Sequence, residues 1–189
     1  MCQTRSLITT CPLHFESWNR DMWCRVVVVG VGSNRGDSVA FVRAGIERLR
    51  TFAARDFRCS SLWRTSPVDC PPETDDFVNA VVAFEAVDAL TPDALLDALK
   101  AIEREFGREL DPVRNAPREL DLDLLLFDSQ TCQDEYLTLP HPRAVRRRFV
   151  LAPAAEIIPQ LVWLGTGQTI AALLADLDDD ADAQRVDPP

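Results

Sequence analysis

RNAPRELDLDLLLFD, residues 114–128, sets aspartates at 121 and 123 into a run that otherwise reads as a buried strand. Side chains on a strand alternate faces, so Glu119, Asp121 and Asp123 point one way and Leu120, Leu122 and Leu124 the other. The leucine face asks for an apolar layer against it. The carboxylate face cannot be buried unpaired, because neighbouring like charges repel and desolvating a charge is costly. A strand over 119–127 with one dry face and one charged face is therefore expected.

The elements upstream follow from their own periodicities. Residues 25–34, RVVVVGVGSN, read as a buried strand that ends in glycines. Asp37 or Ser38 then caps a helix whose Val39, Val42, Ile46 and Leu49 share a face. A second strand is expected over 57–65, and after a proline-rich loop a third over 77–87. Thr91-Pro92-Asp93 opens a second helix, with Leu95, Leu99, Ile102 and Phe106 as its buried stripe and Gly107 as its stop. The order strand, helix, strand, strand, helix, strand is that of an α+β, ferredoxin-like βαββαβ core, a helix-backed antiparallel sheet. C-terminal additions follow: a loop around LPHPR, a short helical piece at 146–153 and a helix at 168–177.

The chain has 189 residues, 47% of them apolar, enough for one well-buried core. No run approaches the ~20 apolar residues of a membrane span. The first 24 residues lack the basic start, apolar middle and small-residue cleavage site of a secretory signal, so the expected location is cytoplasmic. They read as a loose extension, with Met22 as an alternative start. Six cysteines without a CxxC pair, and two histidines, argue against structural zinc and for free thiols. The formal charge of −10 disfavours nucleic acid and anionic membrane as partners. Part of it lies in the Asp-rich residues 178–189, which read as a disordered tail.

Against that acidic background the arginines gather in two segments, 104–118 and 143–148. A DxD alone is more often a solvated edge of a sheet than a site. Beside Arg108, Arg114 and Arg118, with His141 and Arg147 further on, it fits magnesium and phosphate: the ion takes one or two carboxylates and completes its shell with water and phosphate oxygens. No GxxxxGK[ST] loop is present, and GVGSNRGD is not a GxGxxG fingerprint, which disfavours P-loop and Rossmann enzymes.

RNAPRELDLDLL (114–125) resembles the signature of the 6-hydroxymethyl-7,8-dihydropterin pyrophosphokinases of folate biosynthesis. Further blocks agree in family order: VGSNRGD (31–37), SSLWRTSPV (60–68), DFVNAVVAFE (76–85), FGR (106–108) and LPHPRAVRRRFVLAPAAEIIP (139–159). The resemblance spans about 25–177 and implies a single pyrophosphokinase domain there. It implies transfer of pyrophosphate from ATP to the pterin's hydroxymethyl group, with two magnesium ions on Asp121 and Asp123, and it implies Arg108 and Arg118 as catalytic partners of those aspartates. For ATP it implies Glu103, Arg108, Arg114, Arg118, Leu124, Thr138, His141 and Arg147. For the pterin it implies a sandwich of Phe77 and Phe149, with Asn79, Thr65, Ser66 and Val68 reading the polar edge.

The residues support the pterin half separately: a flat heterocycle suits two rings, and an amide inside an apolar strand asks for a partner. Loops 66–76 and 107–118 are placed to close over the reactants. Leu110, Asn115, Phe77 and Pro142 depart from the common family pattern; Leu110 stands where many members carry arginine. The expected enzyme is a monomer acting on two small molecules. A nucleotidyltransferase on the same scaffold, with two metals on strand carboxylates, is the enzymatic alternative. A non-catalytic RNA-binding module is the other, and the charge of −10 counts against it.

Overall fold

Val26, Val27, Val28 and Val29 are all buried, although successive side chains must point to opposite faces. A strand with both faces covered has to sit inside a sheet between two layers. In the computed structural model, which describes residues 25–67, 74–107, 117–178 and 183–187, β1 (Val26–Ser33) does so. It is flanked by β4 (Phe77–Ala86) on one side and β5 (Asp121–Phe127) on the other, both antiparallel to it.

The helices begin where the cap signals fall. Asp37 caps α1 (Ser38–Leu49) by accepting the Ala40 N–H, and Thr91 caps α2 (Pro92–Glu105) by accepting that of Ala94. Gly107 follows α2 with φ +100°, a conformation that a side chain would strain. Val42, Ile46, Leu49, Leu95, Leu99 and Ile102 pack onto one face of the sheet, against Val27, Val29, Val31, Leu122 and Leu124. Burying each such leucine is worth about 2 kcal/mol over leaving it in water.

The other face carries a second core. α3 (Arg148–Ile157) and α4 (Ile170–Ala175) bring Val150, Leu151, Ala154, Ile170 and Leu173 against Val26, Val28, Val81, Ala83, Leu125 and Leu126. The chain is thus a mixed structure of helices and antiparallel sheet, with helices on both faces rather than one. A small hairpin of β6 (Cys132–Gln133) and β7 (Thr138–Leu139) precedes α3.

Four expectations change in detail. The strand expected over 57–65 is two, β2 (Ala53–Cys59) and β3 (Leu62–Thr65), both paired with β4. Ser60 divides them because its hydroxyl takes the Val81 N–H at 2.9 Å, a side chain replacing a ladder partner. β5 starts at Asp121 rather than 119, and its alternation breaks at a bulge against Val28 and Val29, so Leu125 and Leu126 both join the second core. The helix expected over 168–177 is shorter, capped by Thr169. The disorder expected for 178–189 does not hold at β8 (Ala183–Asp187), which pairs antiparallel with β3; composition cannot reveal a strand whose partner is another strand's open edge.

The sheet runs β5-β1-β4-β3-β8, with β2 also on β4. Cys59 and Cys132 are free thiols, and Cys59 is pushed up to about 11, mainly by burial. No helix among the described residues is long and apolar enough to cross a membrane. The extension 1–24, and Leu110 and Asn115, lie outside the described residues, as do most of the loops expected to close over the reactants.

Candidate active site

The second core stops partway along the sheet. Beyond Val28, Val81 and Leu125, the same face carries Gly30, Gly32, Asn79, Asp121 and Asp123, which floor a cleft of about 360 Å³. Antiparallel pairing collects them: the end of β1 lies between the beginnings of β4 and β5, and the end of β3 meets the beginning of β4. Across the ladder Gly30 stands opposite Asp123 and Gly32 opposite Asp121. Paired positions share a face, so each carboxylate has a glycine beside it and open space above.

Arg118 approaches the aspartates first. Its guanidinium donates to Asp121 Oδ1 at 2.7 Å. Burial alone would lower this guanidinium, but Asp121, Asp123 and Glu103 together outweigh it and hold it above its ordinary value, so it stays charged. Its backbone is pinned by Asn34, whose Oδ1 accepts the Arg118 N–H at 2.9 Å and whose own N–H donates to the Arg118 carbonyl at 3.1 Å.

The opposite wall comes from the chain entering α3. Arg143, Arg146 and Arg147 line the cleft, followed by Phe149 and Val150. The N-terminal end of α3 adds the positive end of its dipole to this wall. The Arg147 guanidinium lies 5.2 Å from the centre of the Phe149 ring. Two carboxylates faced by several arginines suit a ligand carrying phosphates and a divalent cation. Among the described residues no three His, Cys, Asp or Glu side chains come together as a metal cage. Two carboxylates are enough protein ligands for a magnesium ion, which fills the rest of its shell with water and phosphate oxygens.

At the β3–β4 end the lining changes character. Asn79 Nδ2 donates to Thr65 Oγ1 at 2.7 Å, while a Cβ on Gly32 would sit 2.9 Å from Asn79 Oδ1. Phe77 and Phe149 line this region from the sheet and from α3, with Ser66 beside Thr65. A flat ring with a polar edge fits between such walls.

A profile of the 7,8-dihydro-6-hydroxymethylpterin-pyrophosphokinase family matches residues 28–159. The chain belongs to this family. It is 38% identical over 156 residues to the 2-amino-4-hydroxy-6-hydroxymethyldihydropteridine pyrophosphokinase of Synechocystis sp., covering 82% of this chain and 77% of that one. With the Bacillus subtilis enzyme of the same name it shares 39% identity, covering 72% of this chain and 80% of the relative. The Methylorubrum extorquens enzyme gives 40%, covering 79% and 92%. Among solved structures it resembles the wild-type Plasmodium falciparum HPPK-DHPS with pteroate, with a TM-score of 0.60 and 13% identity. That likeness concerns the fold; it covers 80% of this chain, which spans 44% of the length of its neighbour.

Of the residues the pyrophosphokinase resemblance singles out, the cleft brings together Arg118, Asp121, Asp123, Arg147, Thr65, Ser66, Phe77, Asn79 and Phe149. Val68, Arg108 and Arg114 lie outside the described residues. Four others stand back from the lining. Glu103 is buried on α2, and its Oε1 accepts the Leu122 N–H at 2.8 Å along the outer edge of β5. The Leu124 side chain belongs to the first core, and Thr138 pairs with Gln133 in the small hairpin. His141 donates its backbone N–H to the Leu125 carbonyl at 2.9 Å, and its buried ring Nδ1 has no partner among the described residues. Burial, reinforced by Arg147 and Arg143 and opposed by Asp121, lowers it to about 4, so the ring is neutral near pH 7.

Sequence reasoning assigned no site role to Gly30, Gly32, Asn34, Arg143, Arg146 or Asp178. Arg143 and Arg146 were visible as members of an arginine cluster. The glycines carried a signal too, since they alternate within a valine strand where small residues leave a sheet face open. Asn34 and Asp178 carried none, because their roles depend on which chain segment passes nearby.

Proposed function

We propose that this chain catalyses transfer of a pyrophosphoryl group from ATP to the hydroxymethyl group of 6-hydroxymethyl-7,8-dihydropterin, releasing AMP, as a step of folate biosynthesis. Its family and the names of its relatives support that reaction. One geometric observation carries it to these residues: two carboxylates over glycines, faced by an arginine wall, next to an aromatic slot with an amide at its edge.

In the proposed step the pterin hydroxyl oxygen attacks the β-phosphorus and forms a new O–P bond. The bond from that phosphorus to the α,β-bridging oxygen breaks, AMP leaves with the electron pair, and the hydroxyl proton passes to solvent. Asp121 and Asp123 would hold two magnesium ions, which would supply neutralisation of the charge that develops on the transferred group. Arg118 stays charged beside them, and Arg147 faces them across the cleft, with Arg108 and Arg114 expected to join. Both described arginines favour the charge that gathers on the transferred group. Phe77 and Phe149 would hold the pterin between their rings while Asn79 and Thr65, with Ser66 and Val68, read its edge. Glu103, the backbone at Leu124 and Thr138, and His141 would meet the nucleotide along the outer side of β5.

We read residues 25–177 as one pyrophosphokinase domain whose β1-to-β5 portion, ordered β5-β1-β4-β3 with β2 beside β4, is a ferredoxin-like core. The enzyme is taken to act in the cytoplasm, as a monomer, on small molecules. The test is incubation with ATP, magnesium and 6-hydroxymethyl-7,8-dihydropterin. AMP and pyrophosphorylated pterin in equal amounts are expected. Free pyrophosphate with a nucleotidylated acceptor would point instead to nucleotidyl transfer, and magnesium-independent RNA binding without ATP turnover to a binding module.

A further inference from the structure

The C-terminal segment converges on β3, the strand that carries Thr65. β8 lies along the edge of β3 that β4 leaves open, with Ala183 opposite Thr65 and Arg185 opposite Trp63. The Arg185 guanidinium is bonded to the Glu156 carboxylate of α3 and lies 6.0 Å from the centre of the Trp63 ring. Glu156 uses its other oxygen to accept the Ser61 N–H at 2.8 Å, at the break between β2 and β3. Asp178, on the chain leading toward β8, lines the cleft.

These contacts bear on recognition through one hydrogen bond. Asn79 presents its amide to the cleft while its Nδ2 is held by Thr65 Oγ1. β3 is short and separated from β2 by Ser60 and Ser61, so pairing with β4 alone would leave it a fraying edge. The β8 ladder makes it an internal strand, and Glu156 of α3, bonded to both Arg185 of β8 and the Ser61 N–H just before β3, ties the two strands together. Glu156 is largely shielded, its side chain 14% exposed, while that of Arg185 is 59% exposed, so the pair is anchored from the Glu156 side.

We propose that Arg185 is a positioning residue for pterin recognition: through Glu156 and β8 it holds β3, and with it the Thr65–Asn79 pair, in the orientation that reads the heterocycle. Arg185 itself touches no substrate. This rests on the pterin half of the reading above, and it assigns the acidic C-terminal segment to the working enzyme.

Steady-state kinetics on the full chain test it. In Arg185→Ala the pterin KM rises about tenfold while kcat and the ATP KM stay within about twofold, the split expected when ground-state binding of one substrate is lost. Arg185→Lys, which keeps the charge, recovers most of the loss. Glu156→Gln keeps an acceptor for Ser61 but removes the ion pair; it gives the same split, and the double variant is no worse than the worse single one. If Arg185→Ala does not fold, Glu156→Gln decides by the same readout. A pterin KM that rises less than about threefold, or no more than the ATP KM, overturns the proposal. Asn79→Ala keeps the two levels apart. An unchanged pterin KM there breaks the reading of the pterin half, whereas a raised one with an unaffected Arg185→Ala breaks this inference alone.

Discussion

On the α1–α2 side of the sheet, Val27, Val29, Val31, Val82, Phe84, Leu122 and Leu124 carry an apolar layer along the whole length of the strands. On the α3–α4 side the layer covers half that length, then yields to Gly30, Gly32, Asn79, Asp121 and Asp123. The same strands build both. Alternation lets β5 place Leu122 in one layer and Asp121 and Asp123 in the other without any change of backbone. One face can therefore pay for the charge that the other leaves exposed in a cleft, and the two kinds of residue should fail in different ways when replaced.

The largest expected effect is on the polar face. Asp121→Ala or Asp123→Ala should lower turnover roughly 100- to 1,000-fold, the order lost with one electrostatic stabiliser of a transition state. The melting temperature should hardly move in Asp123→Ala, which relieves repulsion between neighbouring carboxylates, and should fall modestly in Asp121→Ala, which also gives up the ion pair with Arg118. Wild-type turnover in either variant would break the division between faces. Leu122→Ala should do the reverse, costing about 2–5 kcal/mol in denaturant unfolding while the folded fraction keeps its turnover. A smaller effect sharpens the boundary itself. Gly32→Ala would force a Cβ to 2.9 Å from Asn79 Oδ1, so the amide must turn, and the pterin KM should rise about tenfold with the ATP KM unchanged.

The smallest effect concerns His141, at the margin between core and cleft. Its folded value, about 4, lies below the ordinary 6.5, so the unfolded chain binds the proton more readily. The stability it contributes is present above about pH 6.5 and is lost as pH falls toward 4. His141→Gln should flatten the fall in melting temperature across that window. An unaltered profile would mean that the ring is not shielded as described.

The dry face was legible in the sequence because its rules are local. Four consecutive valines, the caps at Asp37 and Thr91, and the leucines of 120–124 each announce an element by themselves. The cleft was legible where chemistry is concentrated: Asp121, Asp123, Arg118, Asn79 and the two phenylalanines. What stayed hidden depends on partners distant in the chain. Ser60 splits a strand because Val81 offers it an N–H. Glu103 turns out to serve the edge of β5 because Leu122 has an N–H on that side. β8 forms from an Asp-rich segment because β3 has an edge to cover. None of these can be inferred from periodicity, since the deciding group lies on another element.

In the proposed reaction the two aspartates of β5 hold the metal through which ATP binds. Titration of a non-hydrolysable ATP analogue, with and without magnesium, into the wild-type chain and into Asp123→Asn tests this directly. Affinity should rise strongly with magnesium in the wild-type protein, and the rise should be largely lost in Asp123→Asn at an unchanged melting temperature. An equal magnesium dependence in both proteins would contradict it.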